Sequence, residues 1–257
     1  MIGIYFSGTG NTRHCVEEFV RCYDDGSAAV SIETPDIIEI IADHDFIVFG
    51  YPVYFSNMPK IVRDFIVAHR SCFQDKKIFI IATMGLFSGD GAGCSARLFK
   101  KYGANIVGGL HLLMPDCIGD EKLLKRGPAK TKAIIEQGDA KIRFAVQRLK
   151  EGKPTKEGLN IFYHLAGLFG QRLWFYRKTA TYKDKPHIDR DKCIGCGRCA
   201  QLCPLKNIEI REAKAASKGK CTMCYRCFSH CPAQALTILG KHVYEQYRFE
   251  EFKGVLR

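Results

Sequence analysis

The stretch "IYFSGTGNTRHCVEEF", residues 4–19, passes from an apolar run through six small residues, rich in hydroxyls and glycine, into a helical pattern. It reads as strand, turn, helix. Amides at the start of a helix lack partners within it and carry the positive end of its dipole. With small residues the backbone can fold around an anion there, so the turn has the makings of a phosphate cradle. Ser7, Thr9 and Thr12 add hydroxyl donors, while Gly8 and Gly10 allow close approach. No Lys follows the second glycine, so this is not a G-x-x-x-x-G-K-[ST] loop, and it is not G-x-G-x-x-G. A plain turn with Ser and Thr caps explains any two of these residues and explains the whole set poorly.

The same alternation continues outward. β-rich runs lie at 2–6, 29–32, 46–50, 77–83 and 105–114, with helical patterns at 11–23, 35–42, 59–69, 90–102 and 128–150. Five strands with interleaved helices predict an α/β fold, a doubly wound five-stranded parallel sheet covered on both faces. Such sheets bind ligands beyond the carboxyl ends of their strands, where the strand order reverses.

The far end has a different pattern. "CIGCGRCAQLCP" at 193–204 and "CTMCYRCFSHCP" at 221–232 both fit C-x2-C-x2-C-x3-C-P. Three cysteines spaced by two residues can wrap one face of an iron–sulfur cube, and the fourth of each run serves the other cube. One [4Fe–4S] set is therefore Cys193, Cys196, Cys199 and Cys231, the other Cys203, Cys221, Cys224 and Cys227. Structural zinc sites commonly use separated cysteine pairs, which this doubled triple-plus-one pattern does not resemble. The remaining five cysteines, Cys15, Cys22, Cys72, Cys94 and Cys117, receive no role, although Cys117 falls near the end of the fifth strand.

Four segments follow: 1–150, a join at 151–185, the cysteine-dense 186–240 as a small α+β unit, and a tail at 241–257. Within the join, "LNIFYHLAGLFGQRLWFY" (159–176) reads as a helix with a narrow polar stripe of Asn160, His164, Gly167 and Gln171. A helix apolar round the rest of its circumference is expected to be buried, between the domains or in a homodimer. The alternative is an interfacial membrane helix. Its clean apolar run is too short for a transmembrane segment. No secretory signal opens the chain, so a reducing, cytoplasmic setting is expected. The net charge of +12 fits either a solvated basic surface or electrostatic docking onto acidic partners. No nucleic-acid motif accompanies it, and none is expected to bind.

S-G-T-G-N-T after a first strand resembles the phosphate loop of the flavodoxin family, and the resemblance covers about 150 residues. It implies bound FMN, with Ser7, Gly8, Thr9, Gly10, Asn11 and Thr12 around the phosphate. In "GYPVYFSNMP" (50–59) it implies ring contacts from Pro52, Val53, Tyr54 and Phe55. Asn57 is expected to tolerate a positive φ there. In "TMGLFSGDGAG" (83–93) it implies Thr83, Met84, Gly85, Gly89 and Gly91, although this loop lacks the stacking Tyr of short-chain flavodoxins. Residues 187–240 resemble bacterial two-cluster ferredoxins, and the runs "HID", "IEI" and "LTIL" would flank the clusters as small strands. The whole resembles a family of prokaryotic flavodoxin–ferredoxin fusions. The implied function is electron transfer between FMN and two [4Fe–4S] clusters, exchanged with a redox protein such as an acidic ferredoxin. No nicotinamide fingerprint is present. The rival reading is an FMN-dependent reductase of a quinone or activated alkene, favoured by an open pocket over the ring walled by the 83–93 loop and the 114–128 segment, whereas a covered ring favours the carrier; a third is a redox or oxygen sensor acting through helix 159–176.

Overall fold

Apolar runs bounded by turn residues become β1 (Ile2–Tyr5), β2 (Ala29–Ser31), β3 (Phe46–Pro52), β4 (Lys77–Met84) and β5 (Asn105–Leu113). The computed structural model describes residues 1–87, 89–124, 127–167, 169 and 182–252. The five strands form one parallel sheet in the order β2-β1-β3-β4-β5. Period-two alternation divides its side chains. Ile78 and Ile80 face a core shared with Phe49, Phe65 and Phe99, beneath α2 (Ile37–Ala42), α3 (Lys60–Ala68) and α4 (Gly91–Lys101). Phe79 and Ile81 face the other core, with Phe19 and Ile142, beneath α1 (Asn11–Tyr23) and α5 (Pro128–Lys150). Burial on both faces explains why these strands read as continuous apolar runs.

Helix α6 (Ile161–Gly167) is the described part of the predicted 159–176 helix; 168 and 170–176 lie outside the described residues. Two members of the polar stripe meet the α/β unit: His164 Nδ1 lies 3.0 Å from Asp90 Oδ2, and Gly167 meets Gly89, while exposed Asn160 caps the helix by accepting the Tyr163 N–H. Phe162 is 77% exposed. Among the described residues no helix is long and apolar enough to cross a membrane.

The C-terminal unit is built from β6 (His187–Ile188), α7 (Arg198–Leu202), β7 (Ile208–Arg211), β8 (Lys214–Ser217), α8 (Arg226–Ser229) and β9 (Leu236–Thr237). β6 pairs antiparallel with β9 and β7 with β8, around a third small core that includes Phe228 and Tyr225. Residues 241–252, read from sequence only as a tail, run back over α1 and place Tyr247 and Phe249 in its core.

His111 on β5 sets a pH dependence. It is buried, its Nε2 accepts the Ala92 N–H at 3.3 Å, and burial holds its imidazole down to about 4, with Glu157 and Lys141 as smaller opposing influences. A folded-state value below the unfolded one favours the neutral ring. Stability is therefore full above about pH 6.5 and is lost as pH falls towards 4, by up to about 3 kcal/mol. Urea midpoints measured between pH 7 and 4 should fall accordingly, and His111→Gln should flatten that slope.

Candidate functional site

The strand order reverses between β1 and β3, and a cleft enclosing about 760 Å³ of atom-free space, part of it open to solvent, lies beyond their carboxyl ends. Ser7, Gly8, Thr9, Asn11 and Thr12 line one side, Pro52–Phe55 the next, and Thr83–Gly85 a third. The first loop is held by its own polar groups. The Gly10 N–H donates to Ser7 Oγ at 3.1 Å, and Gly10 sits at φ 102°, where a side chain is strained. Thr12 Oγ1 and Thr83 Oγ1 share a buried hydrogen bond at 2.8 Å, tying the first loop to the third. Asn11 Nδ2 donates to the Pro115 carbonyl at 2.8 Å, tying the first loop to the segment after β5. The Thr9 side chain reaches Cys117.

At the second loop Tyr54 and Asn57 exchange backbone hydrogen bonds of 2.9 and 3.0 Å around a two-residue turn. The turn puts positive φ at Phe55 (50°) and Ser56 (56°), not at Asn57 as expected from its residue type. Two consecutive left-handed residues are what a tight I′-like reversal demands, and Asn57 falls just after it. Burial raises the Tyr54 phenol well above its ordinary value, so it stays neutral.

Gly10, Asn57, Gly89 and Gly91, expected at the cofactor, do not line the cleft. A Cβ on Gly89 would stand 2.4 Å from Gly167 Cα, so α6 occupies that side of the third loop. The Gly91 carbonyl instead accepts the hydroxyl of buried Tyr51. Met114–Ile118, which follow β5, form a wall in the 114–128 segment named from sequence. A second wall, Met223–Tyr225 from the cysteine-rich unit, was missed. No local signal in the sequence brings residue 224 to residue 8.

Cys193, Cys196, Cys199 and Cys231 line one cavity of about 380 Å³; Cys203, Cys221, Cys224 and Cys227 line another of about 340 Å³. Backbone N–H groups of Ala215, Asn207, Met223 and Ala235 donate to Cys193, Cys203, Cys221 and Cys231 Sγ at 3.2–3.4 Å. Burial pushes the Cys224 thiol up to about 12 and the Cys221 thiol up to about 11. Thiolates there need the charge of a bound metal centre to be stable.

Two side chains clamp the units together. Arg226 of α8 grips Glu33 with both terminal nitrogens (2.8 and 2.6 Å) and donates to the carbonyls of Ser7 and Leu202. Asp120, buried after β5, accepts from the Tyr225 hydroxyl at 2.9 Å and from the Ile238 and Leu239 N–H groups at 2.6 and 2.9 Å.

The chain thus joins a five-stranded parallel α/β unit, with a cleft at its switch point, to a small unit whose eight patterned cysteines line two cavities. The chain is a fusion. Residues 2–107 match the flavodoxin domain and residues 185–232 the 4Fe-4S dicluster domain. Ferredoxin-2 of Desulfomicrobium norvegicum is 50% identical over 28 residues, 11% of this chain and 48% of that protein. Ferredoxin-3 of a Nostoc species is 44% identical over 39 residues, 15% of this chain and 40% of that one. The chain thus spans less than half the length of these curated relatives. The two-electron reduced flavodoxin of Megasphaera elsdenii, 21% identical, aligns over 56% of this chain and 99% of its own, with a TM-score of 0.40. The two domains together imply FMN and iron–sulfur electron transfer.

Proposed function

We propose that the chain is an electron carrier. It holds FMN in the cleft and two [4Fe–4S] clusters in the cysteine cavities, and exchanges electrons with a redox protein. The observation that carries this reading is the position of Cys224, which lines both the cleft and the second cavity. When bound, FMN supplies one- and two-electron chemistry and each cluster one-electron chemistry. The chain's own groups do the holding. The unpaired amides at the start of α1 and the Ser7 hydroxyl face the phosphate. Tyr54, Phe55 and Met84 offer the ring a neutral, largely apolar lining. Cys193, Cys196, Cys199 and Cys231 ligate one cluster; Cys203, Cys221, Cys224 and Cys227 ligate the other. The amides donating to sulfur tune them.

Met223–Tyr225 of the cysteine-rich unit cover one side of the cleft, and a covered ring supports the carrier reading. The net charge of +12 supports an acidic redox partner drawn in by long-range attraction. Purification without oxygen should yield about one FMN and about eight iron and eight sulfide per chain. Zinc in the thiol cavities, or a preparation without flavin, would end this reading.

A further inference from the structure

Residues 244–252 leave the cysteine-rich unit and end on the phosphate loop, and every step of that path is tied. The Tyr244 and Glu245 N–H groups donate to the Gly119 carbonyl at 2.9 and 3.1 Å. Gln246 Nε2 donates to the carbonyls of Phe228 and Cys231 at 2.7 and 2.8 Å. The Tyr247 hydroxyl donates to Asn11 Oδ1 at 2.6 Å. The Phe249 N–H donates to the Thr9 carbonyl at 2.9 Å, its ring stacks on His14 at 4.2 Å, and Glu250 pairs with Arg13 at 2.7 Å. Phe249 is fully buried and Tyr247 nearly so.

We infer that this strap is part of the phosphate site, with Tyr247 and the Phe249 backbone as positioning groups for the loop; the inference rests on the reading that FMN occupies the cleft. The reason is peptide geometry. The Thr9 carbonyl and the Gly10 N–H belong to one planar trans peptide and point in opposite directions. Phe249 holds the carbonyl outward, so the Gly10 N–H is turned inward onto Ser7 Oγ. Ser7 Oγ, already accepting, keeps its own hydrogen to donate to a phosphate. Asn11 is fixed in the same way: Tyr247 satisfies its Oδ1 while its Nδ2 is taken by Pro115, which locks the residue that opens α1. The strap also adds to the demand for glycine at position 10, because a Cβ there would stand 2.7 Å from Phe249 Cβ.

The test compares FMN with riboflavin, which lacks the phosphate, in titrations of flavin-stripped full-length protein with its clusters in place. Tyr247→Phe removes one hydroxyl and keeps the packing. It should weaken FMN binding about fivefold, leave riboflavin binding unchanged and leave iron content at the wild-type level. Phe249→Ala should narrow the FMN-to-riboflavin ratio further. An unchanged FMN affinity in Tyr247→Phe, or an equal loss for both flavins, overturns the inference. Wild-type protein that binds neither flavin would overturn the reading of the cleft itself.

Discussion

Gly8→Ala is expected to strip the protein of flavin and of about half its iron together. A Cβ on Gly8 would stand 2.0 Å from the Cys224 carbonyl oxygen and 3.3 Å from Cys224 Cβ. Both obstacles belong to a ligand-bearing backbone, which cannot swing aside as the tip of a flexible side chain could. Overpacking at such a site costs about 1–3 kcal/mol or more and is relieved only if the two loops part. Parting them opens the wall that Met223–Tyr225 give the cleft and displaces Cys224 from its cavity. FMN affinity should fall by about tenfold or more. The measurement is flavin and iron per chain after anaerobic purification. Loss of flavin with iron fully retained would mean that Gly8 serves the phosphate alone.

Asp120→Ala should give the largest loss of stability. The carboxylate is 1% exposed and receives three hydrogen bonds, all from the cysteine-rich unit. Removing it leaves the Tyr225 hydroxyl and two backbone N–H groups buried without partners. Each orphaned group costs about 1–3 kcal/mol, so a total of about 3 kcal/mol or more is expected. Burial and the neighbouring Asp120 carboxylate keep the Tyr225 phenol protonated, so it remains a donor across the working pH range. Urea unfolding followed by circular dichroism should show this drop, and Asp120→Asn, which keeps one oxygen acceptor, should recover part of it. A change below about 1 kcal/mol would show that the clamp is dispensable and that Arg226 with Glu33 holds the units unaided.

The legible parts of this protein are those encoded at short range. Ile78 and Ile80 against Phe79 and Ile81 announce a strand buried on both faces, because side chains of a strand alternate whatever lies beyond them. The grouping of eight cysteines into two sets of four followed from spacing, since a two-residue gap fixes how far apart sulfurs can reach, and the two cavities divide in that way. The first loop is local in part for the same reason, since the Gly10 N–H turns back onto Ser7 Oγ three residues earlier.

What the tertiary structure decided are encounters between distant residues. Gly89 looked like a flavin residue and meets Gly167; Asn57 looked like the left-handed residue, and the reversal put Phe55 and Ser56 there. His164 on α6 finds a partner in buried Asp90, a pairing that no periodicity records. The wall at Met223–Tyr225, the Asp120 clamp and the strap ending at Phe249 join residues more than 100 positions apart. Local propensity carries no information about such pairs. Only the packed chain, by bringing the start of α1 against α8 and the strap, chooses which cysteine set faces the cleft and which residue holds the loop in shape.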